Sequence, residues 1–282
     1  MENLLNNPML QSSLLPLLIS LIVAGVVGFS SAKGQRFAAI AVAISALATI
    51  IVISGLSFPP KATSQKLPYL IMAGAIIGLL VDALNIKGWS YKLVSLIIPL
   101  GMVGWLFGAR FNSMDLVGGF YLIVITLLAI LTLWQGDNQR NRIDSGLKLL
   151  FISGGLGAIL LIGSSAMLAQ TAFGLMAAIG GLLLWNWPKF RFNIGASILF
   201  PIVAILSAMA AQGLFFTKAS GIALLLLMPL LLIDLIMPRI PLLNRAATPM
   251  TRALSLGAIG VMILPVAIGS ALLLTETSGY GY

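Results

Sequence analysis

The chain has 282 residues, 60% of them apolar and 8% charged, with no Cys, no His and a formal net charge of +9. A soluble domain carries roughly 25% charged residues, so a soluble enzyme, a disulfide-stapled secreted domain and a disordered chain are all excluded. Without Cys or His, thiol chemistry, iron–sulfur ligation and the commonest general base and zinc or haem ligand are also lost. No cofactor is expected. The sixteen Lys and Arg are spread over many short loops rather than gathered on one face, so nucleic acid is not an expected partner either.

Crossing a hydrocarbon core of about 30 Å takes roughly 20 apolar residues at the helical rise. Ten such runs follow one another: 12–31, 37–56, 67–86, 92–109, 116–135, 147–168, 171–187, 194–212, 219–237 and 253–274. The expected class is therefore an all-α, polytopic membrane protein of about ten transmembrane helices, with the lipid bilayer as its first partner. The stretch from Leu147 to Trp187 is too long for one span and is divided at Ala169-Gln170-Thr171.

Charge placement tests that division. Alternate sides receive Lys33, Arg36, Lys87, Lys92, Arg140, Arg142, Lys148, Lys189, Arg191, Arg239, Arg245 and Arg252 on the one hand, and Lys61, Lys66, Arg110 and Lys218 on the other. Short cytoplasmic loops carry the excess of Lys and Arg, so the first group is expected inside, with both termini on the non-cytoplasmic side. Fusing the sixth and seventh segments would divide the same charges eight and eight. The first segment is read as a retained helix, because the residues before it hold Glu2 and no base, unlike a secretory signal. A bacterial inner membrane fits this pattern best. Trp89, Tyr91, Trp134, Trp185 and Trp187 fall on the basic side, where an interfacial aromatic belt is expected.

An internal repeat is suggested by two matches. Ser95-Leu96-Ile97-Ile98-Pro99 parallels Ser197-Ile198-Leu199-Phe200-Pro201, and Ile162-Gly163-Ser164 parallels Ile268-Gly269-Ser270 at a similar offset. The implied organisation is an N-terminal helix pair over 1–66 and a four-helix unit over 67–170 repeated, in parallel, over 171–282. Pro99 and Pro201 would then interrupt equivalent helices at equivalent depth. Paired interruptions point to a transporter site near the midplane, while an ordinary proline kink accounts for them as well.

Two acidic residues fall inside the runs, Asp82 and Asp234, each five residues before a base. Carboxylates inside a membrane usually face a polar interior. One role for them is to bind a proton or cation and couple it to solute movement from a shared vestibule. The other is to pair with a nearby base or reach the headgroups, and their shallow placement favours it. Gly74 and Gly78 form a small-residue pair for helix packing, as do Ala253 and Gly257, permitting close backbone approach. Gly154, Gly155 and Gly157 match no phosphate-cradling loop.

No acid–base constellation, metal cluster or nucleotide loop appears in the connections, so an enzyme is not expected. Two functions remain. One is a transporter or permease for a small solute or a lipid, with Asp82, Asp234, Pro99 and Pro201 as its candidate transport and coupling residues. The other is a non-catalytic accessory or assembly subunit of a larger membrane complex.

Overall fold

The computed structural model describes residues 8–30, 34–136, 143–236 and 249–274. In hydrocarbon a backbone must satisfy its own polar groups, which leaves helices as the outcome for long apolar runs. The main helices are α1 (Leu14–Ser30), α2 (Ile40–Ser54), α3 (Leu67–Ala83), α4 (Gly88–Phe107), α5 (Leu116–Gly136), α6 (Asp144–Ile162), α7 (Ala166–Trp185), α8 (Ala196–Phe216), α9 (Gly221–Leu226), α10 (Met228–Ile236) and α11 (Pro249–Leu274). No strand occurs among the described residues. Among the described residues, eight helices are long and apolar enough to cross a membrane, and Ile40–Ser54 and Gly221–Ile233 are shorter apolar helices. The ninth predicted span is thus a broken one. Leu227 forms the turn between α9 and α10, and Pro229, which has no N–H, occupies the second position of α10, where a helix tolerates it.

The expected division between the sixth and seventh segments exists but lies earlier. The turn is Gly163-Ser164-Ser165, with Ser164 at φ 65°, so residue 170 sits inside α7. One of the two repeat matches changes meaning here. Gly163-Ser164 breaks the chain into two helices, whereas Gly269-Ser270 lies within α11. The two predicted termini, and the predicted loop bases Arg239 and Arg245, lie outside the described residues.

Two seams hold the bundle. In one, α7 packs on α1, α2 and α6. Trp185 donates from Nε1 to the Leu21 carbonyl at 2.8 Å, and Ser45 of α2 donates to the Pro16 carbonyl of α1 at 2.6 Å. In the other, α3 packs along α8, the most enclosed of the long helices. Gly74 and Gly78 make this second contact. A Cβ on Gly74 would stand 2.7 Å from Pro201 Cα, and one on Gly78 would collide with the Ala196 carbonyl. The glycines of α6 also pack within the chain, Gly154 against Met176, Gly155 against Leu227 and Leu264, and Gly157 against Phe173.

The ends of α1, α3, α5 and α7 lie together with the starts of α2, α4, α6 and α8. Arg36 reaches Asn85 at 3.2 Å, Trp134 donates to the Lys92 carbonyl at 3.2 Å, and Phe29 meets both Trp185 and Phe192. This end, the basic rim below, holds the predicted aromatic belt with one correction. Trp89 and Trp187 are exposed, but Tyr91 is fully buried against Phe200, so it is a core residue rather than an interfacial anchor. Asn186 folds the connection after α7: its Oδ1 accepts from the N–H groups of Arg191 and Phe192, and its Nδ2 donates to the Phe192 carbonyl.

The α3–α8 seam predicts a pair of unlike glycine substitutions. Gly78→Ala forces a Cβ into backbone and should lower stability by roughly 1–3 kcal/mol. Gly104→Ala, on an α4 face with nothing within 4 Å, should be neutral or slightly stabilising, because alanine is the better helix former. Thermal unfolding in mild detergent distinguishes them, and a Gly78→Ala protein as stable as the parent contradicts the close seating of α3 on α8.

Candidate functional site

Asp82 continues the stripe that begins with Gly74 and Gly78. At i, i+4 and i+8 the three residues share one helix face, and that face lies along the start of α8. The Asp82 side chain is buried, 1% exposed. Its Oδ1 accepts from the Ala196 N–H at 3.1 Å and its Oδ2 from the Ser197 N–H at 2.8 Å. The first N–H groups of a helix have no partner within it, and the dipole makes that end positive. A carboxylate from another helix supplies both hydrogen bonds and the opposing charge. Asp82 thus does what an N-cap side chain does, from 114 residues away. Gly195 is the N-cap position of α8, and a Cβ there would press on the carboxylate.

The other predicted residues are not gathered around it. Asp234 belongs to α10, and its side chain lies outside the described residues. Pro99 and Pro201 are both buried within their helices, but they are not level with each other. Tyr91 near the start of α4 lies 5.6 Å from Phe200, and Phe107 at its end lies 5.2 Å from Phe215. The two helices therefore run side by side in one direction, with Pro99 beside Ala208 and about two turns from Pro201. Their expected equivalence of depth does not hold. Pro201 meets Gly74 of α3, and α4 stands at the edge of the bundle with Ile97 and Leu100 exposed.

A cleft that sequence reasoning missed lies in the middle of the bundle. Both α5 and α6 pack on α8 and on α10, and a cavity of about 80 Å³ remains among the four elements and the end of α9. Leu128, Ala129 and Thr132 line it from α5, Leu149, Ile152 and Leu156 from α6, and Leu206, Ser207 and Ala210 from α8. Leu227 and Met228, at the break before α10, close the remaining side. Small residues at its centre, Ala129 and Ala210, leave the space that larger side chains would fill. Thr132 and Ser207 are the polar residues of the lining. The Thr132 hydroxyl donates to the Leu128 carbonyl at 2.7 Å.

Chemically the cleft is an apolar slot with two hydroxyls, at mid-length of the long helices α5, α6 and α8. Such a slot takes apolar ligands, since a charged solute would lose its hydration without recovering it from the walls. Asp82 is not among the residues that line this cleft; its two oxygens hold the first N–H groups of α8.

Substitution of Asp82 separates its capping from a dispensable charge. Asp82→Ala leaves two buried N–H groups without their acceptor, at roughly 1–3 kcal/mol for each, while Asp82→Asn keeps one acceptor and should lose about half as much. Thermal unfolding in detergent reads both, and an Asp82→Ala protein with unchanged stability contradicts the cap.

No protein-family model matches this sequence, and no curated protein matches it, so the chemistry of the site itself carries the assignment.

Proposed function

We propose that this chain is a multi-pass membrane carrier, not an enzyme, whose cargo is a lipid that enters by part of one acyl chain, or a small apolar solute, held in the cleft between α5, α6, α8 and the α9–α10 break. The observation that carries this reading is the lining: an open space among four packed helices, walled by Leu, Ile, Val, Met and Ala side chains with only Thr132 and Ser207 as polar residues. A broken helix beside a midplane site is a familiar arrangement in transporters, and here the break at Leu227 touches the cargo space.

In this reading the two shorter apolar elements, α2 and α9–α10, also cross the bilayer, giving ten spans with the basic rim in the cytoplasm of a bacterial inner membrane. Positive-inside placement of the loop bases supports that orientation. Asp82 acts as a scaffold carboxylate that fixes α8, and Pro201 acts through its seat against Gly74.

One observation favours a second reading, as an accessory subunit. Gly101 and Gly104 of α4, and Gly108 just after it, face open space, and a face of small residues suits close approach by a helix of another protein. Recovery of a stoichiometric partner from mild detergent, lost on Gly104→Leu, supports that role.

For the carrier, the expected result is protein-dependent movement of a fluorescent short-chain phospholipid between leaflets of proteoliposomes, read by dithionite bleaching. Ala129→Leu or Ala210→Leu should slow it severalfold while the protein stays monodisperse and thermally stable. Wild-type protein that moves no lipid, or movement indifferent to both fillings, contradicts the proposal.

A further inference from the structure

Hydroxyls inside long helices commonly turn back on their own backbone. Thr126, Thr132, Ser153 and Thr171 each donate to the carbonyl four residues earlier, at 2.6–2.9 Å. Ser207 departs from this pattern. It sits at the middle of α8, on the face it shares with Val203 and Ala210, and that face lines the cleft. It is only partly buried, and its hydroxyl has no hydrogen-bond partner among the described residues. Thr132, the other polar residue of the lining, has already given its hydrogen to the Leu128 carbonyl. Among the residues of the cleft wall, the uncommitted side-chain donor is therefore Ser207.

Resting on the reading of the cleft as a cargo site, we infer that its small-solute cargo is a short neutral molecule with one oxygen, an alcohol or a ketone, held by a hydrogen bond to the Ser207 hydroxyl. Size sets the upper limit. A cavity of about 150 Å³ takes a benzene ring, and the cleft has about 80 Å³, so a chain of a few carbons fits and a substituted ring does not. The walls set the polarity. A charged molecule is excluded because no lining residue is ionisable and its lost hydration would not be replaced. A second acceptor on the molecule would find no donor, since Thr132 has given its own. A pure hydrocarbon would fill the space and cut the Ser207 hydroxyl off from any partner, which is unfavourable. One oxygen meets these conditions, because a serine hydroxyl can donate to a carbonyl and can donate to or accept from an alcohol.

Because the chain has no Cys, single thiols can report on the cleft in the full-length protein in mild detergent. Ala210→Cys places one on the cleft wall, a turn from Ser207, and Ile123→Cys places one on the exposed outer face of α5. Their modification by methyl methanethiosulfonate, a small neutral reagent, is timed by intact-mass spectrometry. 1-Butanol and pentane, chains of equal length with and without an oxygen, are added at matched mole fractions in the micelle. 1-Butanol should half-protect the Ala210→Cys thiol at a mole fraction about three- to tenfold lower than pentane does, the factor expected of one buried hydrogen bond. Neither should protect the Ile123→Cys thiol. Adding Ser207→Ala should bring 1-butanol down to pentane and leave pentane unchanged. An Ala210→Cys thiol that the reagent cannot reach, equal protection by the two chains, no protection by either, or an advantage of 1-butanol that survives Ser207→Ala overturns the assignment. The lipid-movement assay is independent of this one. Lipid movement without the expected protection leaves the carrier reading standing and removes Ser207 from it; the expected protection without lipid movement leaves the Ser207 site standing and removes the carrier.

Discussion

Two backbone N–H groups at the start of α8 and the two oxygens of Asp82 form the contact on which the arrangement of the bundle rests. A helix that begins among apolar neighbours needs partners for its first amides, and water is scarce there. Asp82 supplies both acceptors, at 3.1 and 2.8 Å, and its charge is met by the positive end of the α8 dipole. Below it, Gly78 and Gly74 remove the side chains that would hold the two backbones apart. The register of α3 against α8 is thereby fixed at three successive turns. Since α8 is the most enclosed of the long helices, its position sets that of α4, α5 and α6, which pack against it.

The cleft follows from that placement. With α8 fixed, α5 and α6 both lean on it and on α10, and small side chains at Ala129 and Ala210 keep the space between them from closing. Packed interiors leave few voids larger than a water molecule, so an apolar opening among four helices is the feature on which the proposed carrier role rests. The same polar economy explains why the ionisable side chain inside α3 is structural: its carboxylate is engaged on both sides, whereas the cleft wall offers two hydroxyls and no charge.

Much of this was legible in the sequence. The apolar runs gave the helices within a few residues, because in a bilayer length and hydropathy constrain the backbone strongly. Charge bias separated α6 from α7, yet the turn fell at Gly163-Ser164-Ser165 rather than near Gln170, because Gln170 is the most polar side chain in the middle of the stretch but small turn-forming Gly and Ser make the break. Gly74 and Gly78 were readable as packing glycines, but their partner was not. The cap made by Asp82 joins residues 114 positions apart, and a single sequence carries no mark of such a pairing. Tyr91 looked interfacial by its position and is a core residue because it packs against Phe200, a contact that sets α4 about two turns along α8 from the repeat alignment. That same displacement separates Pro99 from Pro201. The cleft had no signal at all, because Ala129, Ala210 and Ser207 are unremarkable members of apolar runs until α5 and α8 bring them together.

The most direct test is a cryo-electron microscopy map of the full-length protein in lipid nanodiscs, with a bound antibody fragment for alignment. The account predicts ligand density between α5, α6 and α8 beside Ala129 and Ser207, with Asp82 seated on the first turn of α8. Direct contact of α5 with α6 across the space now lined by Ala129 and Ala210, with no density between them, would contradict it.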